Sequence, residues 1–336
     1  MRVVTSKELS TFKILPFDLY NEANQKVLAA GEVLTPGKLI MLKNYTKLYT
    51  EDVYDEDELG GNDEEYQKNQ ERKANLKKLA NFSFDSIDIT DFETVINKES
   101  TLNSDIQIRI KFFMRKTLDM FAQGFYKEGL VKLNQLSSIM MTDIFKQLFR
   151  SKKGSQVRFL GEYEICHPLN VAIVAGLIAK RLDYTNAAVE QVVLACLIHD
   201  IGKYKIDLDG EDPLLTTQEA IIAEHTVLGY ELIKNELGMD EQIAKVALEH
   251  HENNDGSGYP KGLSSDYISE WAQIVNVANY YDNLACNRTA AHVSNNRDVL
   301  RAMLEVGTKR FSARMLYTFV HMFNYDDPVE FNDMVF

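Results

Sequence analysis

Between Asp105 and Arg150 apolar side chains return every three to five positions: Ile106, Ile110, Met114, Leu118, Phe121, Phe125, Leu130, Leu133, Leu136, Met140, Ile144 and Leu148. That rhythm predicts two or three amphipathic helices, because residues three or four apart share a helix face. Beyond Glu162 the pattern changes. HPLNVAIVAGLIAKRL (167–182) and AAVEQVVLACLIHD (187–200) are apolar almost all round, so both helices belong inside a bundle. Thr216-x-x-Glu219 is a capping box that opens a helix through about Asn235, and Asp240 can cap the next, which runs to His251. NNDGSGYPKG (253–262), with three glycines and a proline, is a loop. A helix from about Ser269 to Ala285 and two more close the chain.

Upstream the periods are shorter. Residues 13–50 carry brief apolar runs separated by turn signals at Asn21–Asn24, Gly31 and Pro36–Gly37, the pattern of a small β-rich module. Pro36 can open a short helix, PGKLIMLKNY. Residues 51–66 hold nine carboxylates and no cation, a self-repelling stretch expected to be a linker. A Lys-rich helical stretch follows, then FSFDSIDITDFETV, a connector with some strand character. The expected fold class is mainly α with a small α+β N-terminal domain. Its parts are a regulatory or docking module with its acidic linker (1–75), a connector with amphipathic helices (76–150) and a helical domain (151–336).

Composition narrows the function. Over 336 residues, 37 Lys and Arg face 50 Asp and Glu, a net charge of −13. A broad surface for DNA or RNA backbone is excluded, and an anionic substrate has to be gathered by local cations or metals. Cys166, Cys196 and Cys286 lie far apart with no CxxC spacing. This rules out a disulfide framework and a thiolate zinc site, and points to buried, reduced thiols in the cytoplasm. MRVVTSKELSTFK has no signal-peptide core, and no apolar run reaches the roughly 18 residues of a membrane span.

The candidate chemistry is a set of histidines. Of seven, His167, His199, His225, His250 and His251 fall on the buried bundle, and Asp200 directly follows His199. One histidine on an apolar face is ordinarily a satisfied core residue. Five imidazoles and a carboxylate cost several kcal/mol to bury unless each is paired, and a metal cluster satisfies them together. Imidazole plus carboxylate suits iron, manganese, zinc or nickel. Gly202 lets the helix end, and Lys203 then projects beside the ligands. Asp255-Gly256-Ser257-Gly258-Tyr259-Pro260 follows the histidine pair, its glycines admitting close backbone approach and Tyr259 able to donate a hydrogen bond or stack on a base.

With LIHDIGK (197–203), EHTVLGYELI (224–233), HHENNDGSGYPKGL (250–263) and VANYYDNL (277–284) in this order, roughly residues 160–320 resemble the HD-GYP branch of the HD metal-dependent phosphohydrolases. DLYNEANQKVLAAGEVLT also resembles a small module that precedes many such domains. The resemblance implies a C-terminal helical-bundle HD-GYP domain and two divalent metal ions, iron or manganese. It implies hydrolysis of cyclic di-GMP to pGpG, and in some members on to GMP, by attack of a metal-bridging hydroxide on phosphorus. By position, His167, His199 and Asp200 match the ligands of one metal, with Asp200 bridging. His225, His250 and His251 match the ligands of the other. Lys203 and Arg288 match residues that hold substrate phosphate, and Asp255, Gly256, Gly258 and Tyr259 lie in the loop that walls the site. Diguanylate cyclases or other signalling proteins are candidate partners; DNA, RNA and membrane are not expected. The oligomeric state stays open, a dimer among the options.

Three departures from the family pattern stand out. Asn279 occupies the place of an Asp ligand, so one charge is lost and that site loosens unless Asp282, one turn on, compensates. Tyr163 stands where members with three metals carry a Glu, which argues for two. Ala291 replaces a basic residue three after Arg288. These substitutions motivate a rival reading, a member that binds a cyclic dinucleotide and signals without cutting it. Hydrolysis of a related dinucleotide such as cyclic GMP-AMP is a third.

Overall fold

The structure is a computed structural model that describes residues 102–149, 157–206, 218–286 and 296–323 continuously, and scattered positions within 2–50 and 71–100. The acidic run 51–66, the capping-box residue Thr216, and Arg288, Ala291 and His292 lie outside the described residues, as does most of PGKLIMLKNY. The chain divides into two compact units, Met1–Ala74 and Asn75–Phe336.

In the first unit, β1 (Arg2–Val4), β2 (Leu19–Tyr20), β3 (Lys26–Leu28) and β4 (Leu48–Thr50) form an antiparallel sheet of order β1-β4-β2-β3. Val4 pairs with Leu48 and Leu19 with Leu28, so the apolar members of each strand fall on one face. They join Leu9, Leu15 and Leu42 in a small core. The turn after β2 is held by Asn21, whose Oδ1 accepts from the Gln25 amide at 2.9 Å. β1 lies ahead of the segment whose pattern announced strands, and three residues are too few to show a period.

The second unit is helical. α1 (Ser104–Ala122) opens at Asn103, whose Oδ1 accepts from the Asp105 amide. α2 (Tyr126–Ile139) runs on through a wider π-turn, Met140–Phe145, to Leu148. Ile110, Met114, Phe121, Leu133, Leu136, Met140, Ile144 and Leu148 are all buried, and they share one core with Leu169, Val193 and Ile274. The stretch read as amphipathic helices therefore builds one core with the helices that follow it. FSFDSIDITDFETV forms no strand among its described residues. Phe84–Ser86 is a 3-10 turn. Farther on, side chains of α1 satisfy the backbone: Gln107 Oε1 accepts from the Asn97 amide, and Lys111 Nζ donates to the Val95 and Leu160 carbonyls. A backbone stitched by buried side chains has no need of a neighbouring strand.

α3 (Tyr163–Arg181) and α4 (Asn186–Ile198) are the two nearly all-apolar helices, packed on each other at the centre. A 3-10 turn, Ile201–Lys205, follows α4. Then come α5 (Gln218–Glu231), α6 (Glu241–Glu249, capped by Asp240), α7 (Glu270–Ala285), α8 (Asn296–Arg310) and α9 (Ala313–Val320). No helix among the described residues is long and apolar enough to cross a membrane.

Candidate metal centre

Five imidazoles from four helices meet at Asp200. His167 projects from the first turns of α3, His199 caps α4, His225 sits on α5, and His250 and His251 end α6. Two sets of ligand atoms, Asp200 with His225, His250 and His251, and Asp200 with His167 and His199, each lie within 4.8 Å of one another. Asp200 is common to both. Four of the imidazoles are buried and His251 is half-buried.

The orientation of these rings is fixed from behind. His199 Nδ1 donates to the Cys196 carbonyl at 2.7 Å, and His250 Nδ1 to the Val246 and Ala247 carbonyls at 3.0 and 2.9 Å. These acceptors lie in the last turns of α4 and α6, and Val246 O also takes the His250 amide at 3.1 Å. His167 Nδ1 lies 2.7 Å from Asp282 Oδ2 on α7. Each of these rings thus offers Nε2 to the centre. There His225 Nε2 stands 3.2 Å from Asp200 Oδ1, and His199 Nε2 and Asp200 Oδ1 are buried without a hydrogen bond. Buried polar atoms left unpaired and aimed at one point fit a divalent cation.

Electrostatics agree with that fit. Burial pushes His199 down to about 4 and holds His250 and His251 well below the usual histidine range, helped by neighbouring imidazoles. All three are neutral at pH 7, the form that ligates metal. Burial would raise the Asp200 carboxyl, but the surrounding imidazoles and Lys203 outweigh it and hold it well below the ordinary carboxylate value. Lys203 Nζ is 2.5 Å from Asp200 Oδ2.

Several expectations change in detail. Gly202 does not end α4, which stops at Ile198. It is small because the 3-10 turn touches α5: a Cβ there would lie 1.9 Å from the His225 carbonyl oxygen. Gly258 likewise packs on its own loop, a Cβ meeting the Asn253 amide at 2.3 Å, so its smallness serves the loop and not a ligand. Gly256 has φ +81° in the same turn. Asp255 is exposed and closes the turn, accepting from the Ser257 amide and hydroxyl at 3.0 and 2.6 Å. One face of Tyr259 is occupied by His251, stacked at 4.7 Å and 22°. Asn279 is buried on α7, its Oδ1 accepting from Asn283 Nδ2 at 3.1 Å, and Tyr163 donates to Asn283 Oδ1 at 2.6 Å while stacking on His167. Asp282 does not stand in for a charged group at 279. It serves His167 and Arg158, whose NH2 is 2.6 Å away. Cys286 is half-buried beside that pair, 2.8 Å from Arg158 NH2, so only Cys166 and Cys196 are fully buried thiols.

The residues missed from sequence are second neighbours: Arg158, and Glu252, whose buried carboxylate accepts from the Lys261 and Leu263 amides at 2.7 and 2.9 Å and so shapes the loop. Adjacency to the histidine pair was the one available signal for Glu252. A cavity of about 270 Å³ opens beside the cluster, lined by Met114, Leu118, Phe121 and Tyr204 together with His167, Asp200 and Lys203.

Comparison with known proteins places the chain in a family. A family model described as an HD domain matches residues 140–313. The cyclic di-GMP phosphodiesterase response regulator RpfG of Xanthomonas campestris pv. campestris is 37% identical over 119 residues, 34% of this chain and 32% of that protein. The cyclic di-GMP phosphodiesterase PdeB of Borreliella burgdorferi is 27% identical over 195 residues, 56% of this chain and 50% of that one. The 3'3'-cGAMP-specific phosphodiesterase 3 of Vibrio cholerae is 30% identical over 151 residues, 44% and 33%. The chain thus spans between a third and a half of the length of these relatives. Among solved structures, Bd1817, an HDG"Y"P protein of Bdellovibrio bacteriovorus, aligns over 93% of this chain and 95% of its own with a TM-score of 0.46 and 16% identity.

Proposed function

The chain belongs to the HD domain family, and on that premise we propose that it is a metal-dependent phosphodiesterase that hydrolyses cyclic di-GMP to pGpG and GMP. The observation that carries the reading is the pair of ligand groups that share Asp200, with His199 Nε2 and Asp200 Oδ1 buried at their meeting point without a hydrogen bond. Two divalent cations, iron or manganese by the all-nitrogen-and-oxygen donor set, would be held by His167, His199 and Asp200 and by Asp200, His225, His250 and His251. Asn279 adds a neutral amide oxygen on the first side. When bound, such cations supply Lewis acidity and a water of lowered pKa.

The protein's own groups do the rest. Carbonyls of α4 and α6 and the Asp282 carboxylate hold the imidazole protons on Nδ1. Lys203, now on Asp200, is within reach of a phosphoryl oxygen and neutralises charge that grows there. The aromatic and aliphatic wall of Met114, Leu118, Phe121 and Tyr204 offers a nucleobase an apolar surface while water is kept from the cluster.

The test is anaerobic turnover of cyclic di-GMP with manganese or ferrous iron, products separated by chromatography, beside His199→Ala. Product from the intact site alone supports the reading. Metal and dinucleotide bound with no product refutes it in favour of a binding module, the rival that the engaged, uncharged Asn279 favours, and makes Asn279→Asp the next variant. Competition by cyclic GMP-AMP decides between the two purine dinucleotides named among the relatives.

A further inference from the structure

We propose that Arg310 is a second phosphate-binding residue of this site and takes the phosphate of a cyclic dinucleotide that the Asp200 cluster does not cut. The inference rests on the function proposed above and names how its substrate is held.

Arg310 ends α8, which kinks at Gly307. The three carbonyls after the kink are docked on the segment that follows His251. Thr308 O accepts from Asn254 Nδ2 at 2.8 Å, Lys309 O from the Asp255 amide at 2.9 Å and Arg310 O from the Asn254 amide at 2.9 Å. These bonds fix the Arg310 backbone to the rim of the site. Its guanidinium lies 4.4 Å over the ring of Tyr280, the neighbour of Asn279. Its charge is felt by His251 and by Tyr259, which stack on each other.

What the side chain lacks is an anion. Arg115, Arg158 and Arg314 each pair with a carboxylate, to Glu162, Asp282 and Glu270. Arg310 has no ion pair and no side-chain hydrogen bond among the described residues, and its Nε is buried without a partner. Two carboxylates near it in space are already used: Glu252, which lines the same small pocket, by the Lys261 and Leu263 amides, and Asp255, whose amide holds Lys309 O, by Ser257. The stack on Tyr280 offsets only part of the cost of burying a cation. A planar fork with free donors fits two oxygens of one phosphate.

Position says which phosphate. Lys203 lies on Asp200, where the two ligand groups meet, and its charge is felt by His199; Arg310 lies beyond, on the His251 side. Between them the rings follow one another, His199 to His250 at 4.9 Å and His250 to His251 at 4.0 Å. A cyclic dinucleotide carries two phosphodiesters; with one at Asp200 and Lys203, the other falls to the cation at the opposite end.

Arg310→Met keeps an unbranched stem over Tyr280 and removes the charge; Arg310→Lys keeps the charge and loses the fork. The full chain, metal-loaded, is measured with cyclic di-GMP, which has two phosphodiesters, and with bis(p-nitrophenyl) phosphate, which has one. Expected for Arg310→Met is a KM for cyclic di-GMP, from initial rates, raised about ten- to hundredfold. Cleavage of bis(p-nitrophenyl) phosphate, metal content and urea midpoint stay at wild-type values, and Arg310→Lys falls between. An unchanged KM for Arg310→Met, or parallel losses on both substrates, overturns the proposal while leaving the proposed function standing. Failure of the wild-type protein to cleave any cyclic dinucleotide overturns both.

Discussion

Replacing Asp282 by Asn removes one charge from a carboxylate that is 1% exposed and serves two partners, His167 Nδ1 at 2.7 Å and Arg158 NH2 at 2.6 Å. Two losses follow, and they are separable. The first is in stability. Arg158 is 11% exposed, so solvent screens it little. Breaking a buried pair by removing one partner costs about 3–5 kcal/mol. Arg158 keeps Cys286 Sγ at 2.8 Å and the Asp282 carbonyl at 3.3 Å, which places the expected loss near the bottom of that range, about 3 kcal/mol. The second is in metal affinity. The amide oxygen can still accept from Nδ1, so the His167 ring stays in place, but the anion that makes it a stronger donor is gone. A change of this kind costs about 10- to 100-fold in affinity. Urea unfolding of the metal-free protein reads the first loss, and a chelator competition for manganese reads the second. A double-mutant cycle with Arg158→Leu separates the ion pair from the His167 bond. Affinity within about twofold of wild type, with stability reduced as expected, would refute the assignment of Asp282 as the residue that orients His167.

Three further outcomes are expected. Gly202→Ala puts a Cβ against the His225 carbonyl and, at 2.5 Å, the Gly229 amide, both backbone, so the turn or α5 has to shift; a loss of about 3 kcal/mol in urea unfolding is expected, and a wild-type midpoint would contradict the close approach. Glu252→Gln leaves an NH2 facing a backbone N–H. It should cost about 2 kcal/mol and speed hydrogen exchange at the Leu263 amide, whereas unchanged exchange there would remove Glu252 from the loop. Burial raises the Cys166 thiol from 9.0 to about 12, so the native state resists its ionisation while the unfolded chain does not. That contribution is intact below pH 9 and is lost as pH rises from 9 toward 12, about 1 kcal/mol by pH 10. Urea unfolding from pH 8 to 10 should show a shallower decline for Cys166→Ala than for wild type; equal slopes would discard it.

How far the sequence reached depends on the range of each interaction. The inward histidines were legible because a helix places residues four apart on one face. His250 follows Val246, and Asp240 marks the start of α6 through the Gln242 amide at 2.8 Å. The loop was legible from its glycines and proline, but not what those glycines do, because Gly258 is constrained by Glu252 and Asn253 in a fold-back that no period encodes. Asp282 and Arg158 are 124 residues apart, and nothing local to either points to the other. The strand character expected within 82–95 does not appear among its described residues for a related reason, since Lys111 on α1 takes the Val95 carbonyl and Gln107 the nearby Asn97 amide. Tyr163 was read by what it is not; its hydroxyl on Asn283 and its ring on His167 are roles that only the packed helices reveal.

The burial that surrounds His199 and His250 has a further consequence for proton exchange with the solvent. With both imidazoles kept neutral far below pH 7, and His251 beside them likewise, no proton has to leave these three rings for a cation to enter. Near neutrality, uptake through them is independent of buffer protonation enthalpy. The cost of loading falls instead on stripping water from the incoming ion and on loosening Lys203 from Asp200.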